Sequence, residues 1–171
     1  MRKIRLIVGG VRSGKSNYAV ELAKESNKKV YFLATCSPLD IEMEKRIENH
    51  KKNRPHNWVT IEENINIIDR LKSIQEDNLI IVDCLGLWIS NMLMKEFSED
   101  RIKEEIDNLI ETLNNINFEI IFVSNEVGMG VVPESYLGRL FRDLLGLLNQ
   151  KIAKISDDVI FMQVGIPVKI K

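Results

Sequence analysis

The 171-residue sequence predicts an α/β fold, a doubly wound and mostly parallel sheet flanked by helices. Three observations carry this. Continuous apolar, β-branched runs recur at Ile4 to Val8, Val30 to Leu33, Leu79 to Val82, Ile120 to Val123 and Val159 to Val164. Strands covered on both faces need unbroken hydrophobicity of this kind rather than alternation. Segments with helical periodicity separate the runs. Finally, the first run opens into a glycine-rich loop and then a helical segment, the order of a P-loop NTPase-like domain.

Taken in chain order, the strand Ile4 to Val8 is followed by Gly9-Gly10-Val11-Arg12-Ser13-Gly14-Lys15-Ser16, which fits G-x-x-x-x-G-K-[ST] at every required position. The glycines let backbone N–H groups point inward around phosphates, and the next helix sets its positive end against the same anion. Lys15 is expected to reach the terminal phosphates and Ser16 to hold Mg²⁺. Tyr18, Ala19, Leu22 and Ala23 give Lys15 to Glu25 its helical spacing. The strand Val30 to Leu33 comes next, then helical patterns over Ile41 to Lys52 and Ile65 to Gln75. Leu79 to Val82 ends in Asp83, a carboxylate at a strand end that resembles the Walker-B arrangement holding Mg²⁺. Capping the following helix, Leu85 to Met94, is its alternative role. Asp100 to Leu113 and Leu137 to Ile155 are helical, on either side of the strand Ile120 to Val123. Functional loops in such sheets lie at the carboxyl ends of the strands, which selects Gly9 to Ser13, Ala34 to Pro38, Asp83 to Leu85 and Ser124 to Pro133.

The length suits one domain over residues 1–171, without repeat or linker. A formal net charge of −1 gives no electrostatic case for nucleic acid or an anionic membrane as partner. No apolar run approaches the roughly 20 residues of a membrane span, and Met1-Arg2-Lys3 leads into a strand rather than a secretory signal, so a cytoplasmic location is expected. Cys36 and Cys84 form no C-x-x-C pair and are expected to be reduced thiols with packing roles.

Arg46, His50 and Arg54 stand at helical i, i+4 spacing, with Pro55 ending the segment. Cationic neighbours favour a neutral, nucleophilic imidazole and would also hold the phosphates it attacks. On these residues alone His50 reads first as a solvated surface group, as does His56, and the nucleophile is the alternative. The loop Ser124 to Pro133 carries Gly128 and Gly130, which permit close approach to a ligand or a simple structural turn. Arg142-Asp143 suits a solvated helix face, a site or a subunit contact.

Together, Gly9 to Ser16, Arg46-Ile47 through His50 to Arg54-Pro55, Trp58, Glu62, Asp83-Cys84-Leu85, Asn125 to Gly130, Val132-Pro133-Glu134, Phe141-Arg142-Asp143 and Asn149-Gln150 closely resemble the bifunctional adenosylcobinamide kinase / adenosylcobinamide-phosphate guanylyltransferase family. The resemblance runs from residue 4 to the C-terminal Gly165-Ile166-Pro167 and Lys171. It implies phosphorylation of adenosylcobinamide by GTP or ATP, then transfer of GMP from GTP to adenosylcobinamide phosphate. It also implies that His50 is the guanylylated histidine and that Lys15 acts at the phosphates. Ala34, Thr35, Cys36, Lys51, Lys52, Asn53, Arg54, Glu62 and Asp83 fall on nucleotide-contacting positions, Ser16 and Asp83 on the metal, and the assembly implied is a homotrimer. Leu147 stands where the family pattern has arginine, and Asp83 where some members have glutamate. Another small-molecule P-loop kinase would leave His50 idle, and a non-catalytic GTP-binding module would turn nothing over.

Overall fold

The computed structural model describes residues 2–36, 54–74 and 77–171. Among the described residues seven strands form one sheet: β1 (Lys3–Gly9), β2 (Val30–Ala34), β3 (Val59–Glu62), β4 (Leu79–Asp83), β5 (Glu119–Asn125), β6 (Asp158–Gln163) and β7 (Ile166–Lys169). Their order is β3-β2-β4-β5-β1-β6-β7. All pairs are parallel except β6 with β7. The helices among the described residues are α1 (Lys15–Lys24), α2 (Ile67–Ser73), α3 (Leu85–Met94), α4 (Glu99–Asn114) and α5 (Tyr136–Ile155).

Both faces of the central strands are covered, as their unbroken apolar runs require. On one face Ile4, Leu6, Val82, Ile120 and Phe122 meet α2, α3, α4 and α5. On the other, Ile7, Phe32, Ile81, Ile121 and Val123 meet α1 through Ala19 and Ala23, whose small side chains bring that helix close to the sheet. Trp88 of α3 is fully buried and donates its indole N–H to Ile65 O at 2.8 Å.

Three expectations are corrected. Two strands escape the sequence reading: β3 is a short, mostly exposed edge strand without an apolar run, and β7 is an edge strand containing Pro167. The last long strand ends at Gln163 rather than Val164, because Val164 (φ 46°) and Gly165 (φ 84°) turn the chain back into β7. The helical pattern Ile65 to Gln75 yields only Ile67–Ser73, since Glu63 accepts hydrogen bonds from the N–H groups of Ile65 and Asn66 and holds them in the preceding turn. The helix expected over Ile41 to Lys52 lies outside the described residues.

Candidate active site

Strand β1 delivers the phosphate-loop motif to the carboxyl edge of the sheet, where its neighbours are β5 and β6. A Cβ on Gly9 would lie 2.4 Å from Met162 O and 2.9 Å from Ser13 Oγ, so only glycine lets the loop start against β6. Gly14 adopts φ 92°, the left-handed region that glycine enters without strain, and is the N-cap of α1. Having no side chain, it leaves the first-turn N–H groups of α1 to an anion. The loop is tied at both ends: Glu126 N–H donates to Gly9 O at 2.9 Å, and Gly165 N–H donates to Ser13 O at 3.1 Å.

Lys15 is only 8% exposed and folds back over this loop, donating from Nζ to Gly10 O at 2.5 Å and reaching Ser13 Oγ at 3.5 Å. Burial lowers its pKa from 10.5, and the nearby side chains of Cys84 and Asp83 act in the opposite sense. A desolvated ammonium folded over the loop at the start of a helix suits a polyanion. Ser16 follows in the first turn of α1, half-buried.

The second part of the site is a row of strand ends. Ala34 closes β2 and is in register with Glu62 of β3 on one side and Asp83 of β4 on the other. Side chains in register on a sheet share a face, and with a period of two these three share the face of Phe32, Thr60 and Ile81, on which α1 packs. Arg54 lies on that face, its guanidinium 3.4 Å from the centre of the Phe32 ring and Nη1 3.4 Å from Thr60 Oγ1. Burial lowers the pKa of Arg54, while the carboxylates of Asp83 and Glu62 pull it the other way. One sheet face therefore brings together two cations and two carboxylates from four segments of the chain. Asp83 does not cap the next helix: Cys84 does, its Sγ accepting from Leu87 N–H at 3.5 Å. Burial, with the adjacent Asp83 charge, raises the Cys84 thiol to about 12, so it stays protonated. Cys36 and Cys84 are both free of disulfide, as expected.

The loop after β5 is built around Glu126, whose carboxylate accepts from the N–H groups of Gly128 and Met129. Asn149 of α5 holds its base, donating to Asn125 O at 3.1 Å and accepting from Ser124 Oγ at 2.6 Å. Met129 and Val131 beyond it are over four-fifths exposed. Arg142 pairs with its own neighbour Asp143 at 3.9 Å, and Leu147 lines a surface groove with Glu99 and Tyr136. A second cleft, about 750 Å³ between α2 and α4, contains none of the expected site residues.

Of the residues expected at the site, Gly9 to Ser16, Ala34 to Cys36, Arg54, Glu62 and Asp83 gather along this edge. His50, Lys51, Lys52 and Asn53 lie outside the described residues. Thr35 is fully buried, and its hydroxyl is engaged with the main chain of Cys84. Sequence reasoning passed over Phe32, the platform for Arg54, and Asn91, which donates to Thr35 O at 2.8 Å and Asn64 O at 3.1 Å. A signal for Asn91 was present: it is one of two polar side chains in the apolar helix LGLWISNMLM, where a polar group needs partners.

Comparison with known proteins gives this edge a context. Residues 5–170 match the CobU family, cobinamide kinase / cobinamide phosphate guanyltransferase. The chain belongs to that family. Among its members, the bifunctional adenosylcobalamin biosynthesis protein CobP of Pseudomonas aeruginosa is 41% identical over 167 residues, covering 97% of this chain and 96% of the relative. The corresponding CobU proteins of Escherichia coli and Salmonella typhimurium are 36% and 37% identical, each covering 97% of this chain and 98% of its own length. Solved structures agree on the P-loop NTPase-like fold. A prototypical ATPase from the type III secretion system of pathogenic bacteria superposes with a TM-score of 0.61 at 11% identity, over 98% of this chain but only 56% of that one. The RadB recombinase does so at 0.51 and 16%, over 93% and 73%.

Proposed function

We propose that the protein phosphorylates adenosylcobinamide with GTP or ATP and then transfers GMP from GTP to adenosylcobinamide phosphate. Membership of the CobU family supplies the substrates. The observation that carries the chemistry is the buried Lys15 ammonium inside the Gly9 to Ser16 loop, beside Asp83. Residues 1–171 act as one catalytic domain, assembled as a homotrimer in the cytoplasm. No helix among the described residues is long and apolar enough to cross a membrane.

In the kinase step the loop N–H groups and Lys15 hold the triphosphate, and the substrate hydroxyl oxygen bonds to the γ-phosphorus as the bond to the β-phosphate oxygen breaks, the nucleoside diphosphate leaving with the electron pair and the hydroxyl proton passing to solvent. In the guanylyl step a neutral His50 imidazole nitrogen bonds to the α-phosphorus, pyrophosphate departs with the electron pair, and the ring loses its proton. A phosphate oxygen of adenosylcobinamide phosphate then takes GMP and frees the imidazole. Ala34, Cys36, Lys51, Lys52, Asn53, Arg54 and Glu62 line the nucleotide, with Arg54 offsetting phosphate charge, while Thr35, fully buried with its hydroxyl on the main chain of Cys84, supports this row from behind.

Among the described residues no cluster of three or more His, Cys, Asp or Glu forms a metal cage. A serine hydroxyl and one carboxylate, both hard oxygen donors, fit Mg²⁺, which takes few protein ligands and completes its shell with phosphate and water. Ser16 and Asp83 would hold it, and when bound it neutralises phosphate charge.

The test is covalent labelling. Incubated with α-labelled GTP and Mg²⁺, the protein should acquire acid-labile, alkali-stable label that His50→Ala abolishes together with guanylyl transfer. His50→Asn should retain kinase turnover and stall at adenosylcobinamide phosphate. Normal labelling of a folded His50→Ala protein would refute the nucleophile.

A further inference from the structure

The carboxylate row is braced from behind by side chains that face no ligand. Thr35 Oγ1 donates to Cys84 O at 2.7 Å and accepts from Cys84 N–H at 2.7 Å, so one buried hydroxyl satisfies both main-chain groups of the residue after Asp83. Thr35 N–H donates to Asp83 O at 3.1 Å, which closes a second link between the same two strand ends. Thr35 is in turn held through its carbonyl by Asn91 Nδ2 of α3, and the same amide ties down Asn64 O, beyond β3. The ends of β2, β3 and β4 are thus fixed relative to one another and to α3 by two polar side chains.

We infer that Thr35 and Asn91 are positioning residues that set the Asp83 carboxylate against the phosphate loop. The inference rests on the reading of Asp83 as a metal-holding carboxylate. The geometry is specific: a hydroxyl that accepts from the N–H and donates to the C=O of one residue pins the two peptide units on either side of Cys84, the first of which joins it to Asp83, and with it the direction in which the Asp83 Cα projects its side chain. A valine of the same shape would leave the buried Cys84 N–H unpaired and its C=O with Trp88 N–H alone, at 3.2 Å, and the strand end would move to find a partner. Asp83 stands two strands away from the loop, across β5, so a shift of this end alters its distance to Lys15 without disturbing the loop itself. Asn91 acts one step further out, through the Thr35 carbonyl, and its loss should have the same sign and a smaller size.

The readout is the ratio of GTP dissociation constants in EDTA and in Mg²⁺, measured by calorimetry on the full chain, with the kinase-step kcat and KM beside it. Asp83→Ala should abolish the tightening by Mg²⁺. Thr35→Val should reduce that ratio at least fivefold and lower kcat about tenfold, with affinity in EDTA within threefold of the parent. Thr35→Ser should restore both, and Asn91→Ala should give an intermediate ratio; the latter also decides the matter if Thr35→Val does not fold. A full ratio in folded Thr35→Val and Asn91→Ala proteins, with Asp83→Ala inactive towards Mg²⁺, would overturn the positioning role alone. A full ratio in Asp83→Ala would overturn the role of Asp83 and this inference with it.

Discussion

Replacing Lys15 by methionine should separate ligand binding from stability, because the same burial acts on the two in opposite directions. The ammonium is 8% exposed, and in the free protein its main partner is a neutral carbonyl, Gly10 O at 2.5 Å. A triphosphate would replace that partner with anionic oxygens. At about 1.5 to 3 kcal/mol for each charge-assisted hydrogen bond, loss of two contacts weakens binding by about 3 to 6 kcal/mol, roughly 150- to 20,000-fold. Folding gains from removal of a desolvated charge and loses its attraction to Asp83, which still faces Arg54. The two effects nearly cancel, so stability should change by no more than about 1 kcal/mol, a Tm shift of up to about 4 °C. Sign follows from the depressed pKa: between the lowered folded value and 10.5 the unfolded chain binds the proton that the native state has released, so parent stability climbs with pH across that window. Lys15→Met should lack the climb. Calorimetric titration with GTP and chemical denaturation between neutral and alkaline pH measure both effects. A folded Lys15→Met protein that binds GTP within threefold of the parent would refute the reasoning.

Other positions give sharper structural tests. Gly9→Ala should cost about 2 to 3 kcal/mol and abolish tight nucleotide binding, because its Cβ would meet Met162 O at 2.4 Å; Gly10→Ala, with nothing within 4 Å, should stay within about 0.5 kcal/mol by denaturant titration. Val164→Asn should stabilise by about 1 kcal/mol, since a β-branched residue at φ 46° is strained and asparagine before glycine suits the β6-β7 turn; an unchanged or lower midpoint would contradict this. Asp158 has its pKa lowered chiefly by the Lys169 hydrogen bond and by Lys3. Its contribution is present above the unfolded carboxylate value and lost as pH falls through the lower folded one. Asp158→Asn should therefore cost about 1 kcal/mol at pH 7 and flatten the acid limb of stability, read from denaturation at pH 2 to 5.

The residues that read clearly in the sequence are those whose chemistry is local. The phosphate loop is eight consecutive residues after an apolar run, and each of its demands, a glycine at a left-handed turn, a lysine and a hydroxyl at a helix start, is met within the motif itself. The buried strands show because two covered faces require unbroken hydrophobicity. Edge strands lack that requirement: β3 and β7 are held by hydrogen bonds to one neighbour and leave little apolar signature. The row Glu62, Ala34, Asp83 also needed the tertiary structure, since the register aligning three strand ends arises between segments that lie far apart in the chain. The seat of Arg54 on Phe32 and the brace of Thr35 and Asn91 belong to the same class. Sequence alone determined the phosphate-loop motif, because backbone geometry over a few residues suffices for that. Which side chains surround it was decided by strand pairing, which sets through-space neighbours by the sum of many packing contacts rather than by any one motif.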